Sequence, residues 1–255
     1  ILLGLVGSEM CIRDRYQENT LPMFFLAFTI TMIVGFLSWL PARNMKGEIR
    51  IRDGFIITVL FWLVLSIFGA LPFALSQETN LSFIDALFES ISGLTTTGAT
   101  VFTNLEDLPK SILYYRQQLQ WLGGIGIVVI AVSILPMIGV GGMQIYKAET
   151  PGPIKDTKLT PRIAETANAL FKIYVYLTVA CAIAYWVAGM NWFDALSHSF
   201  STISIGGFST YDESLGHFDN NTVLTIASIF MVVSGLNFAL HYTCLLYTSD
   251  AADDP

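Results

Sequence analysis

Two short runs hold the residues best suited to chemistry in this chain: 94–100, Leu-Thr-Thr-Thr-Gly-Ala-Thr, and 203–209, Ile-Ser-Ile-Gly-Gly-Phe-Ser. Both offer backbone carbonyls, hydroxyls and glycines, and neither contains an acid or a base. A row of carbonyl oxygens can replace the hydration shell of a cation, as filter loops in K⁺ channels do. Glycine opens backbone conformations closed to other residues. A helix ending beside the run would add its negative end. With no carboxylate in either run, selectivity would rest on carbonyls rather than on a ring of acidic side chains. The runs differ: Gly206 and Gly207 stand where the first has Thr97 and Gly98, and Phe208 stands where it has Ala99.

Each run ends a longer copied segment. Residues 83–100 and 192–209 superpose without a gap at an offset of 109. Asp85, Ala86, Leu87, Ser90, Ser92 and Gly98 fall on Asp194, Ala195, Leu196, Ser199, Ser201 and Gly207. Each copy opens with an amphipathic stretch. As a helix, 84–94 would be about 16 Å long, roughly half a bilayer. The chain must then climb out through non-helical backbone. A membrane tolerates such backbone only where it is buried in protein or lines a water-filled cavity. Asp85 and Asp194, at the starts of these stretches, read as capping and dipole-stabilising residues ahead of ion attraction. Glu89 lies one turn further on and matches His198 in the other copy. For it, tuning of a nearby field and hydrogen-bonded packing both stay open.

Long apolar segments must position these loops. The chain has 255 residues, 53% of them hydrophobic and 13% charged, against about 25% charged in a soluble domain. Five segments lack Asp, Glu, Lys and Arg and are long enough to cross hydrocarbon: 21–40, 54–75, 117–140, 173–190 and 221–240. Basic residues sort between the connections. Arg43, Lys46, Arg50 and Arg52 fill one loop, and Lys147, Lys155, Lys158, Arg162 and Lys172 another. Lys110 and Arg116 alone fall in the alternate loops. The positive-inside rule puts 41–53 and 141–172 in the cytoplasm and 76–116 and 191–220 outside, with both copied loops on the outer side. Thr160 and Pro161 suit a helix start. The net charge of −7 argues against a nucleic-acid partner. Cys11, Cys181 and Cys244 show no metal spacing.

The domain reading follows. Residues 1–15 and 244–255 break the hydropathy pattern and read as translated sequencing-adapter sequence. Residues 16–53 are the remnant of an N-terminal helical hairpin and a basic cytoplasmic loop. Residues 54–140 form a first pore repeat, 141–172 a cytoplasmic connector, and 173–243 a second repeat cut short at its end. This topology starts residue 21 outside, so an earlier transmembrane helix is expected to precede it, and the sequence reads as an internal fragment.

The order of apolar span, half-helix, glycine-centred loop and apolar span, twice over, resembles the Trk/Ktr/HKT superfamily of potassium transporters, and within it the Trk-type membrane subunit. The resemblance rests on SGLTTTGAT (92–100), YRQQLQWLGGIGI (115–127), GVGGMQIYKAETPGP (139–153), KLTPRIAETA (158–167), FSTISIGGFST (200–210) and SGLNFALHY (234–242), and covers 16–243. It implies an all-α polytopic membrane protein with four such repeats around one pore, of which this chain holds two. It implies Gly98 and Gly207 as filter glycines, with K⁺ held at Thr96, Thr97, Gly98 and Ala99 and at Ile205, Gly206, Gly207 and Phe208. It further implies K⁺ uptake across a bacterial inner membrane, a homodimer, and a cytoplasmic nucleotide-binding regulatory subunit docking near 141–162. No enzymatic activity and no cofactor are implied beyond the transported ion.

Plainer readings accompany several residues. Gly98 and Gly207 could mark simple turns between helices, but their matched place after two copied half-helices favours the filter. Gly123, Gly124 and Gly126 read as packing within the subunit ahead of a dimer seam. The five tryptophans lie mostly near span ends, as an aromatic belt would. His217 and His241 read as interfacial. A membrane enzyme would need clustered His, Asp or Glu at membrane depth, and the sequence has none at ligand spacing. A non-transporting scaffold would have no reason to repeat a glycine-centred loop. A Na⁺-conducting relative is the nearer rival, since such relatives can carry Ser for a filter Gly.

Overall fold

The computed structural model of the chain describes residues 20–43, 51–126 and 163–236. Among these the structure is all-α. The helices are α1 (Leu21–Ala42), α2 (Ile51–Gly69), α3 (Leu71–Leu75), α4 (Phe83–Leu94), α5 (Lys110–Gly124), α6 (Ile163–Val187), α7 (Trp192–Ser204) and α8 (Asn221–Gly235), with short 3₁₀ turns at Leu105–Asp107 and Ser214–Phe218. The expected adapter ends, most of the connector with its Thr160 cap, and His241 lie outside the described residues.

The long helices are built for an apolar solvent. Thr29, Thr31 and Ser38 on α1 donate back to the carbonyls of Phe25, Ala27 and Val34 at 2.7–2.8 Å. A hydroxyl satisfied within its own helix needs no water. Phe25, Phe36, Leu37 and Trp39 face outward on α1, as do Tyr176, Ile183 and Trp186 on α6. Among the described residues, Leu21–Ala42 and Asn168–Val187 are long and apolar enough to cross a membrane; the apolar helices Val59–Leu75 and Asn221–Gly235 are shorter.

Four of the five expected spans have different limits: the fourth is helical over Ile163–Val187 rather than 173–190, and the fifth ends at Gly235 rather than 240. The second breaks at Ala70, ahead of Pro72, which has no amide hydrogen to continue the ladder. Tyr115 Oη donates to Gly69 O at 2.9 Å there. The third begins at Lys110 rather than 117. Arg116, placed by the charge count in an outward loop, sits inside this helix and is fully buried, because an acid from the preceding half-helix neutralises it.

The half-helices form as the copied sequence requires. Ser82 Oγ accepts from Asp85 N at 3.2 Å, and Asn191 Oδ1 accepts from Asp194 N at 2.9 Å. The N-cap oxygen thus comes from Ser82 and Asn191. The aspartates, three residues on, accept from the cap side chains, Ser82 Oγ and Asn191 Nδ2, and face the positive helix end. An N-cap of this kind is worth about 1 kcal/mol.

Helix α5 is the central strut, packed between α4 and α7, with Ile112, Leu113, Tyr114, Tyr115, Leu119 and Gln120 buried. Its last turn lets both half-helices approach closely. A Cβ on Gly123 would run into Leu94 O at the end of α4, and one on Gly124 would lie 2.5 Å from Tyr174 Oη and 3.0 Å from Ser204 Cβ at the end of α7. A Cβ on Gly126 would meet the Trp62 ring. All three glycines therefore serve packing within the chain. Trp62 and Trp121 are likewise drawn inward, Trp121 Nε1 donating to Thr178 Oγ1 at 3.0 Å; they depart from the belt expected of them.

Candidate functional site

The two loops that follow α4 and α7 have the same backbone. Thr97 N donates to Ser92 O, and Gly206 N to Ser201 O, each at 2.9 Å. Thr96 and Ile205 both have φ +55°, and Gly98 and Gly207 have φ +77° and +83°. Positive φ is costly for a β-branched residue. Its recurrence at matched positions on Thr and Ile means that the surrounding structure imposes it. Beyond the glycines, Phe102 N donates to Thr100 Oγ1 and Tyr211 N to Ser209 Oγ, both at 3.1 Å.

The glycines satisfy different constraints. A Cβ on Gly98 would run into Gly206 O, so the two loops touch here. A Cβ on Gly206 would meet the Gln120 carboxamide, whereas one on Gly207 would meet nothing within 4 Å. Gly207 is required by its φ alone, Gly98 by φ and by contact.

The eight expected ion contacts divide by what their carbonyls already do. Ala99 O accepts from Ser92 Oγ at 2.5 Å, and Gly206 O accepts from Gln120 Nε2 at 2.7 Å. Among the described residues, no hydrogen bond engages the carbonyls of Thr96, Thr97, Gly98, Ile205, Gly207 or Phe208. Gln120 clamps the second loop at both ends of Gly207, its Oε1 accepting from Phe208 N at 3.1 Å. The Thr95 and Thr97 hydroxyls pair with each other at 2.7 Å.

Behind the loops lies a polar core that the sequence only hinted at. Glu89 is fully buried. It accepts from Thr100 Oγ1 at 2.9 Å, from Val101 N at 3.1 Å and from Arg116 Nε at 2.7 Å. The structure places Glu89 in a hydrogen-bonded network one layer behind the loop. His198, its counterpart, bonds through Nε2 to Ser209 Oγ at 3.0 Å and through Nδ1 to Asp194 O at 2.9 Å. Glu89–Thr100 and His198–Ser209 are therefore one brace made with different chemistry. Asp194, buried in the second copy, also accepts from Thr210 Oγ1 at 2.8 Å and Tyr211 Oη at 2.9 Å. Asp85 lacks these partners in the hydrogen bonds it makes; Ser82 Oγ donates to it at 2.7 Å.

Arg116 and Gln120 were given no role from the sequence, and Glu89 and His198 were matched there without their partners Thr100 and Ser209. The available signal was a polar stripe, Arg116, Gln117 and Gln120, at helical spacing in an otherwise apolar segment. His217, read as interfacial, stacks on Tyr211 at 3.6 Å and lies 4.0 Å from Glu106. Cys181 is buried and unpaired. Among the described residues no group of three or more His, Cys, Asp or Glu is placed to hold a metal.

Paired spans enclosing a half-helix and a glycine-centred loop, repeated in one chain, define the class: an all-α membrane protein of the transporter type with pore-helix repeats. The family described as TrkH, cation transport protein, matches residues 20–251, and the chain belongs to it. The chain is similar to the Trk system potassium uptake protein TrkH of Escherichia coli K12, at 56% identity over 230 residues, covering 90% of this chain and 48% of the relative. It is 60% identical over 227 residues to TrkH of Halomonas elongata, covering 89% and 47%. The crystal structure of the potassium transporter TrkH from Vibrio parahaemolyticus matches with a TM-score of 0.75 and 48% identity, over 94% of this chain and 49% of that one. The chain thus spans about half the length of the relatives it matches.

Proposed function

We propose that this chain supplies two of four filter strands to the pore of a potassium-uptake protein in a bacterial inner membrane. The observation that carries this reading is the pair of matched loops whose φ values are positive at Thr96 and Gly98 and at Ile205 and Gly207. K⁺ would be coordinated mainly by the carbonyls that the protein leaves unengaged, those of Thr96, Thr97, Gly98, Ile205, Gly207 and Phe208, replacing its hydration shell. Ala99 and Gly206 belong to the scaffold of the filter rather than to its lining. The C-terminal ends of α4 and α7 direct their partial negative charge at the loops. The membrane potential draws the ion inward.

The remaining parts of the reading follow from the charge pattern and from the family. Residues 54–140 and 173–243 are the two pore repeats, and 16–53 belongs to a preceding hairpin. Residues 41–53 and 141–172 face the cytoplasm, and 76–116 and 191–220 the periplasm. The relatives named above are potassium uptake proteins of a Trk system. By that kinship the assembled protein is a homodimer that takes a nucleotide-binding regulatory subunit on its cytoplasmic side, near 141–162.

The test uses the full-length gene in a bacterium deficient in K⁺ uptake. Gly98→Ser and Gly207→Ser should each raise the external K⁺ needed for growth and lower the K⁺/Na⁺ preference. Normal growth and unchanged preference in both variants would remove the filter assignment.

A further inference from the structure

We infer that Arg116 is a positioning residue for ion selectivity: one guanidinium locks the two filter loops in register, with Glu89 as its charge partner. The inference rests on the filter reading above.

Arg116 has its side chain fully buried and makes contacts on every edge. Its Nε donates to Glu89 Oε1 at 2.7 Å, its Nη2 to Thr100 Oγ1 at 2.9 Å, and its Nη1 to Ser209 O at 3.2 Å. Thr100 and Ser209 are the same position of the two copied segments. Arg116 therefore joins equivalent points of both loops, each two residues beyond its glycine. Its flat face lies 4.3 Å from the centre of the Phe208 ring and 5.2 Å from that of Phe102. Phe208 is itself a filter-loop residue, buried against Gly93 of the first half-helix, where an added Cβ would lie 3.3 Å from its ring. The planar fork thus fixes a hydroxyl of the first loop and a carbonyl of the second, with the Phe208 ring packed against it. Lysine, a point charge on a flexible stem, can keep the charge but not the fork or the stack.

The charge arrangement is one-sided. The first copy offers Glu89, and the second offers His198 at the matched place, so one acid balances Arg116 directly. Asp212 is the other acid that acts on it electrostatically. Removing the Glu89 charge would leave a buried cation just behind a cation path, where the low dielectric makes repulsion long-ranged. Two effects follow and are separable: Arg116 geometry sets selectivity, and the Glu89 charge sets how readily a cation enters.

The test measures K⁺ and Na⁺ uptake by the full-length protein in cells, normalised to the amount in the membrane. Arg116→Lys should lower the K⁺/Na⁺ preference about tenfold, the equivalent of one charge-assisted hydrogen bond. Glu89→Gln should raise the half-saturating K⁺ concentration about fivefold or more, and Glu89→Gln with Arg116→Gln should recover that constant while leaving the preference low. A role confined to folding would lower the amount of protein and leave both ratios at their wild-type values. That result would overturn the inference, as would an unchanged preference in Arg116→Lys. If Arg116→Lys does not accumulate, Thr100→Val, which removes the hydroxyl that Arg116, Glu89 and Phe102 N share at nearly constant shape, carries the test. It must shift the preference in the same direction, and a wild-type preference there is equally fatal. Gly98→Ser run in parallel separates the two readings. Altered preference in Gly98→Ser with none in Arg116→Lys refutes this inference alone; no change in Gly98→Ser refutes the filter reading beneath it.

Discussion

One methyl group added at each loop glycine separates two demands that glycine meets at once. Gly207 has φ +83° and open space around its missing Cβ. Gly207→Ala therefore costs about 1–2 kcal/mol, the penalty of an L-residue in the left-handed region. Gly98 has φ +77°, and its Cβ would also run into Gly206 O. That oxygen is backbone, and Gln120 Nε2 holds it at 2.7 Å, so it cannot swing aside as a side chain would. Overpacking of this kind adds about 1–3 kcal/mol. Gly98→Ala should then exceed Gly207→Ala by about fivefold or more in the half-saturating K⁺ concentration, since about 1 kcal/mol is a factor of about five. The assay is initial-rate K⁺ uptake by the full-length protein over a range of external K⁺, with membrane protein quantified in parallel. Equal effects of the two substitutions, or a larger effect at Gly207, would refute the reasoning that the two loops meet at Gly98.

Three more outcomes follow from the site. Asp194→Ala should cost about 3 kcal/mol or more, because it strips a buried carboxylate from Thr210 and Tyr211, whereas Asp85→Ala should cost about 0.5–1 kcal/mol as a capping and dipole loss; thermal unfolding of the purified full-length protein in detergent ranks the two. Gln120→Leu leaves Gly206 O and Phe208 N buried without partners, at about 1–3 kcal/mol each, and should weaken K⁺ uptake more than Gln120→Glu, which still accepts from Phe208 N. Gly123→Ala drives a methyl into Leu94 O and should reduce the yield of monodisperse protein in size-exclusion chromatography well below that of Gly35→Ala, where nothing lies within 4 Å.

The elements legible in the sequence were those with a local cause. Asp85 and Asp194 marked the half-helix starts because capping is set within one turn. The half-helix expected at 84–94 is Phe83–Leu94 in the structure. The glycines were legible because the two copies could be laid over each other. The start of α5 was not, because a run of charge-free residues is a poor guide where a charge is cancelled from elsewhere. Glu89 lies 27 residues from Arg116, and no periodicity within α5 reveals that pairing. The division of the carbonyls was equally hidden. Ser92 and Gln120 bond to Ala99 O and Gly206 O through contacts across 7 and 86 residues, so eight residues that look alike in the sequence divide into six whose carbonyls accept no hydrogen bond and two whose carbonyls accept one. Glu89 and His198 were matched in the sequence, but that each braces its own loop, at Thr100 and at Ser209, is a contact across 11 residues that no local pattern reveals.

The central claim is that the unengaged carbonyls around Gly98 and Gly207 hold the ion. Anomalous diffraction from crystals of the full-length protein grown with Rb⁺ in place of K⁺ tests it most directly. The account predicts Rb⁺ within coordination distance of the Gly98 and Gly207 carbonyls and not of Ala99 O or Gly206 O. A bound Rb⁺ elsewhere in the molecule with none between these two loops would contradict it.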